Sequence, residues 1–481
     1  MARFGLLHWL LPAFLAIAGA SGSFASPNAP RATWPNGPFV TSGRWIQDAS
    51  GATVTYVGVN WPGSLDAMIP EGLQYQSIES IVSKIKKDLD MNTIRLTYAT
   101  EMIDQYYDNG QKDVTIQKAL TDALGEDDGG SVYDKIISNN PSFDTSTTRL
   151  EVYDAIAAEC AKQEIYVHLD NHVSKAGWCC SPLDGNAWWG DEFFIVDNWT
   201  RGLSFMAQHG KSWSNLMSMS LRNELRISLT NSSVANTYNW EEWYSYIQQG
   251  ADAINKSNSD VLIFISGLNS DQDLSPVVNG TAFTPGTATF NRDDFSGYGD
   301  KLVLELHAYD NLFGPGPSNC TAVEEELFNA GFKSLTDDAT NQFPMVLTEF
   351  GLVQNGTASQ NAYISCLLDY VPSRNAGWMI WQLGGSYYIR EGTQDFDETW
   401  GLLNHDWTDW RSSDFINNSL TPAVKKTFTI NNDTDPNSGS AGTSDKESRG
   451  ASLRSNLGQD LFDLSLPFYA AVLTLLSLMF Y

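Results

Sequence analysis

A chain of 481 residues could hold several domains, yet a single α/β barrel with long loops reaches about 400 residues, so one main domain is compatible with this length. The 29 Lys and Arg against 57 Asp and Glu leave a net charge of -28, which excludes nucleic acid and anionic lipid surfaces as partners and favours a neutral or cationic substrate. With 16 Trp, the chain holds more large aromatics than its core needs, and some are expected to be free for stacking.

Residues 1–25 carry Arg3, an apolar run over 6–18 and small residues near 18–25, the pattern of a secretory signal peptide. Glycosylation sequons at Asn198, Asn231, Asn255, Asn279, Asn319, Asn355, Asn417 and Asn432 fit a secreted glycoprotein. Residues 26–430 read as the catalytic domain. Residues 54–60 form an apolar strand ending on Asn60 and Trp61, and 77–89 a helix with Ile78, Ile81, Ile85 and Leu89 at helical spacing. The strand 92–98 carries Arg95. A polar stretch rich in Asp and Gly, 100–147, reads as a loop excursion, after which the helix 148–163 resumes the alternation.

The third strand, 165–170, runs into Asn171 and His172, and is followed by a loop with Trp178, Cys179, Cys180, Trp188 and Trp189, which has the composition of a sugar-stacking wall. The fourth, opening at Met217, runs into Asn223 and Glu224; the fifth covers 260–267; the sixth, 301–309, ends on His307 and Tyr309; the seventh, 345–351, ends on Glu349; the eighth, 377–383, holds Trp381 and leads to Tyr387. Eight apolar strand signals separated by helical ones predict a parallel (β/α)8 barrel as a single domain with long βα loops, and no Gly-rich phosphate loop follows the first strand to favour an open sheet.

Five cysteines in a secreted chain predict two disulfides and an odd thiol. Cys320 and Cys366 flank the sixth and seventh barrel units and are expected to pair, and Cys160 is expected to pair with Cys179 or Cys180. No zinc spacing occurs, and His168 and His172 stand too far apart along one strand to share an ion, so no metal and no cofactor is assigned. Residues 431–452 have linker composition. Residues 453–481, a polar spacer and an apolar tail, read as the signal for a glycosylphosphatidylinositol anchor, which places the protein at the cell surface or wall.

Polar side chains at the carboxyl ends of barrel strands meet around one pit. Here these are Arg95, His172, Asn223, Glu224, His307, Tyr309, Glu349 and Trp381. Two carboxylates suit glycosidic hydrolysis, one protonated to release the leaving group and one ionised to attack the anomeric carbon. Trp61, Trp188, Trp189 and Tyr387 are candidate subsite aromatics.

At these residues the chain resembles glycoside hydrolase family 5, the cellulase-type barrel hydrolases, over about 54–403. The resemblance implies that Asn223 contacts a 2-hydroxyl, Glu224 is the acid/base, Glu349 in Thr-Glu-Phe-Gly is the nucleophile, and Arg95, His172, His307, Tyr309 and Trp381 support the site. Leu225-Arg226 replaces the proline usual after Asn-Glu, so Arg226 and the loop Tyr387–Glu391 become candidates for the leaving-group subsite. The expected partner is a β-linked glucan acted on by a monomer; a β-1,3/1,6-glucanase or wall-remodelling transglycosylase, and a non-catalytic carbohydrate-binding barrel, are the alternatives.

Overall fold

Residues 34–310 and 319–434 are described by the computed structural model. Its centre is a closed barrel of eight parallel strands, β1 (Val57–Trp61), β2 (Thr93–Ala99), β3 (Tyr166–Val173), β4 (Leu216–Ser220), β5 (Leu262–Ile265), β6 (Leu302–His307), β7 (Met345–Glu349) and β8 (Gly377–Ile380), each hydrogen-bonded to the next and β8 to β1. Every residue of these strands is buried, the condition under which near-continuous Val, Ile and Leu runs are stable only in parallel sheets covered on both faces. At Gly58 β1 comes close to β2, and a Cβ there would fall 2.2 Å from the carbonyl oxygen of Thr93.

Helices cover the outside and face it with their apolar stripes. The helix Arg149–Lys162 is started by Thr148, whose side chain accepts the N–H of Glu151 while the Glu151 carboxylate accepts the N–H of Thr148. Trp240–Ser257 and Ala362–Ser373 are opened in a similar way by Asn239 and Asn361. The amino-terminal end of the barrel is plugged by Ile46 of a small antiparallel sheet and by Phe39 just before its first strand, both packed with Tyr56, Tyr166, Met217 and Phe264, and the Tyr56 and Phe264 rings stack at 5.8 Å. Burying each such ring contributes roughly 1.5–3 kcal/mol. The opposite, carboxyl-terminal end is left to polar side chains.

Three findings differ from the sequence expectation. Residues 100–147 are not a loop: they form the helices Thr100–Asp108, Ile116–Leu124 and Glu126–Asn139. Their apolar faces are narrow, as in Ile116, Ala119, Leu120 and Leu124, and the surrounding Asp and Gly hid them. The last helix, Thr421–Thr434, runs past 430 into the expected linker. Finally, Cys320 does pair with Cys366, but Cys179 pairs with Cys180, and Cys160 is a buried free thiol. Cys160 sits at the end of a helix that delivers the chain to the start of β3, whereas Cys179 and Cys180 follow its other end; eight residues of strand at about 3.3 Å each separate them, far beyond the Cα spacing a disulfide spans. The expected signal peptide, the rest of the linker and the anchor signal lie outside the described residues.

Candidate active site

The carboxyl end of the barrel is organised around Arg95. Its guanidinium, wholly buried, donates to Asn60 Oδ1 (2.9 Å), to Glu349 Oε1 and to Asn223 Oδ1 (2.8 Å), and pairs with Asp170 Oδ1 at 2.9 Å, so residues from β1, β2, β3, β7 and the loop after β4 converge on one cation. Burial alone would lower the Arg95 pKa, but Asp170, Glu349 and Glu305 outweigh it and the guanidinium is held charged. Burial likewise disfavours the Asp170 charge, yet Arg95 and His172 bring its pKa down to about 2. Removing one member of such a buried set leaves its partner unpaired in a low dielectric.

The two glutamates have different surroundings. Glu349, at the end of β7, accepts from Arg95 at one oxygen and from the Tyr309 hydroxyl at the other (2.9 Å). Glu224 carries no such cation; its carboxyl is 14% exposed toward the cleft, and its Oε1 shares a 3.0 Å hydrogen bond with His307 Nδ1. Burial raises the Glu224 pKa against the opposing pull of Arg226, His172 and Arg95. His307, itself pushed down to about 4 by burial, is neutral at ordinary pH, so its Nδ1 can accept a proton's hydrogen bond from Glu224 or, as the other tautomer, donate to its carboxylate. Carboxylate oxygens of Glu224 and Glu349 and a ring nitrogen of His307 lie within 4.8 Å of one another.

Glu224 has a left-handed backbone, φ 48°, a conformation that costs a non-glycine residue about 1–3 kcal/mol unless its neighbours hold it. Both of its peptide groups are held. The N–H donates to Asp271 Oδ2 (2.8 Å), and the carbonyl accepts from Arg226 Nη1 (2.8 Å), whose other nitrogens reach the Ser181 carbonyl and Asp184. Arg226 is therefore a backbone clamp and not a cleft residue.

The cleft above these groups has a volume of about 260 Å³ and is lined by His172, Trp178, Cys179, Cys180, Asn223, Glu224, Tyr309, Glu349, Trp381, Arg390, Glu398 and Trp400. Trp381 lies parallel to the His172 ring at 5.4 Å, and His172 is aimed by Asp170 Oδ2 at 2.6 Å. Trp178 meets Trp381 edge-on at 6.3 Å, and the Arg390 guanidinium lies over the Trp178 ring at 3.4 Å.

Eight of the residues read from the strand ends thus meet at one place, with Arg95 and His307 just beneath the cleft surface. The candidate subsite aromatics do not. Trp188 and Trp189 are buried against Tyr238, Trp199 and Tyr246 beneath the loop they belong to. Trp61 is buried with its indole N–H on the Glu71 carbonyl (3.0 Å), and Tyr387 is buried behind Trp178, bonded to Gln382. His168 sits one layer lower between Ser218 and Ser220, 2.8 Å from each. Sequence reasoning missed Asp170, Asp271, Glu398 and Trp400. Asp271 follows β5 at the end of three consecutive residues with positive φ, Asn269, Ser270 and Asp271, of which the Asn and Asp are types that tolerate that conformation; Glu398 and Trp400 follow the hairpin Ser386–Arg390 and Thr393–Asp397, which sequence reasoning read as a loop.

The profile of the family described as Cellulase (glycosyl hydrolase family 5) matches residues 48–386. A "Glycosyl hydrolase 5 family protein" of Chamaecyparis obtusa is 35% identical over 395 residues, which cover 79% of this chain and 65% of that relative, so this chain spans about two thirds of its length. An "Endoglucanase" of Paenibacillus polymyxa is 22% identical over 414 residues, 81% of this chain and 88% of the relative. Among solved structures, a cellotetraose complex of an endocellulase from Pyrococcus horikoshii shares the fold at a TM-score of 0.60 and 20% identity, covering 82% of this chain and 100% of that one. The catalytic domain of the major endoglucanase from Xanthomonas campestris pv. campestris does so at 0.55 and 19%, covering 80% and 99%. The extent of the family match, together with the closed parallel barrel, assigns this chain to glycosyl hydrolase family 5.

Proposed function

We propose that the protein is a retaining β-glycosidase that cleaves β-linked glucan of the cellulase type by double displacement. The observation that carries this reading is the pair of differently held carboxylates, one oxygen of each within 4.8 Å of the other, which supports the short carboxyl spacing of a retaining enzyme, roughly 5–5.5 Å, over the wider spacing of an inverting one. Glu349, bonded to Arg95 and Tyr309, attacks the anomeric carbon. Glu224, with its raised pKa, gives its proton to the leaving oxygen as the glycosidic bond breaks. A covalent glycosyl-enzyme forms on Glu349; Glu224, now ionised, takes a proton from water, whose oxygen releases the sugar and restores both carboxyls. Asn223, held through its Oδ1 by Arg95, presents its amide nitrogen beside the site for a sugar hydroxyl, and Trp381 offers a flat surface to the ring. The endocellulase and endoglucanase relatives support a β-1,4-linked glucan.

The experiment is to follow the anomeric proton of the first product by NMR during hydrolysis of a β-linked oligosaccharide. A β-anomer formed first supports the reading, and an α-anomer formed first overturns it. The signal-like segment at 1–25, the sequons and the apolar tail support secretion and display of the enzyme on a lipid anchor.

A further inference from the structure

The Cys179–Cys180 disulfide stands in the cleft wall, not in the core where buried cysteines usually pack. Both residues are half-buried. Their sulfurs and a carboxylate oxygen of Glu224 all lie within 4.8 Å of one another, and the Asn223 amide nitrogen is 3.5 Å from one sulfur and 3.7 Å from the other. The position is tied to the acid/base candidate through the backbone, since Arg226 bonds the carbonyl of Ser181, the next residue, and the carbonyl of Glu224.

Whatever accepts the Glu224 proton sits within hydrogen-bond reach of that carboxyl, and the departing sugar begins one bond further on. The sulfurs stand beside that carboxyl and offer two polarisable atoms, no hydrogen-bond donor and weak acceptors. Such a surface suits the C–H face of a pyranose ring better than its hydroxyl edge. Asn223 is braced from both sides, by Arg95 on its oxygen and by the sulfurs on its nitrogen.

We propose that the Cys179–Cys180 disulfide is a substrate-contact surface on the leaving-group side of the cleft, against which the apolar face of the departing sugar packs. This rests on the assignment of Glu224 as the acid/base of a retaining glycosidase.

The test compares the wild type with a Cys179→Ala/Cys180→Ala double variant on a β-linked gluco-oligosaccharide and on β-cellobiosyl fluoride, whose leaving group is a single atom that cannot touch the wall. The expected result is a kcat/KM lowered about tenfold or more further for the oligosaccharide than for the fluoride, whose loss reports only the weakened brace on Asn223. Equal losses on both substrates, or no loss on either, overturn the proposal. A wild type that hydrolyses neither substrate removes the reading beneath it, which separates the two failures.

If the double variant does not fold, disulfide reduction decides. In a Glu349→Gln variant, saturating oligosaccharide should slow phosphine reduction of Cys179–Cys180 about threefold or more without slowing that of Cys320–Cys366, because bound ligand covers only the first. Unchanged rates, or equal slowing of both bonds, overturn the proposal.

Discussion

Asp271 Oδ2 accepts the backbone N–H of Glu224 at 2.8 Å, so a residue beyond the fifth strand holds the acid/base candidate of the fourth in its left-handed conformation. Asp271→Ala leaves that N–H without its acceptor in the buried backbone beneath the cleft. An unsatisfied buried group costs about 1–3 kcal/mol, so kcat should fall roughly tenfold to a hundredfold with little change in KM. Asp271→Asn keeps an acceptor oxygen and should restore much of the rate. Steady-state kinetics of the two variants decide it; equal defects would show that the hydrogen bond is not what matters.

The two glutamates should fail differently. Glu349→Ala removes the proposed nucleophile and should abolish turnover of every glycoside. Glu224→Ala should spare the first step for aryl glycosides whose leaving groups need no proton, and azide should revive turnover by replacing water as acceptor. In the proposed mechanism Glu224 works first as an acid, and burial raises its pKa, so the alkaline limb of kcat/KM should lie above the ordinary carboxyl value of 4.5 and vanish in the alanine variant with activated substrates. A glycosyl azide missing from the products would contradict the acid/base role.

Trp381 is largely buried but turns one surface to the cleft, its other side stacked on His172. Trp381→Ala should weaken both bound substrate and transition state by roughly 3 kcal/mol while the protein still folds. Circular dichroism and thermal melting separate this from core loss. A folded variant with near-normal kcat/KM would exclude stacking.

Asp170 links the site to acid stability. Its pKa is depressed from the ordinary 3.8 to about 2, so the stability it contributes is present above pH 3.8 and lost as pH falls toward 2. Asp170→Asn should destabilise the protein at neutral pH, leaving Arg95 poorly paired, and the difference from wild type should shrink by about 2 kcal/mol between pH 4 and pH 2. Denaturant unfolding across that range measures it, and a pH-independent difference would refute the linkage.

Phosphatidylinositol-specific phospholipase C should release the protein from membranes of the cells that make it, since the tail at 464–481 is read as an anchor signal that is removed. Mass spectrometry of the mature protein finding that tail intact would rule the anchor out.

Strand periodicity and the polar residues near the strand ends made the barrel and the meeting of Glu224 with Glu349 legible in the sequence. A strand buried on both faces tolerates no Asn-Glu pair except at its end, and the topology brings all such ends together, so Arg95, Asn223, Glu224, His307 and Glu349 could be placed in one pit from one dimension. Tryptophan exposure could not be read that way. Trp178 and Trp400 face the cleft while Trp188 and Trp189 lie under the same loop region, because the aromatic neighbours that bury a ring come from distant helices. The free thiol at Cys160, away from the other cysteines, and the hold of Asp271 on Glu224 were likewise decided by tertiary structure. Both depend on which side chains end up a few ångströms apart, and local residue pattern carries no distance between segments that meet only when the barrel closes.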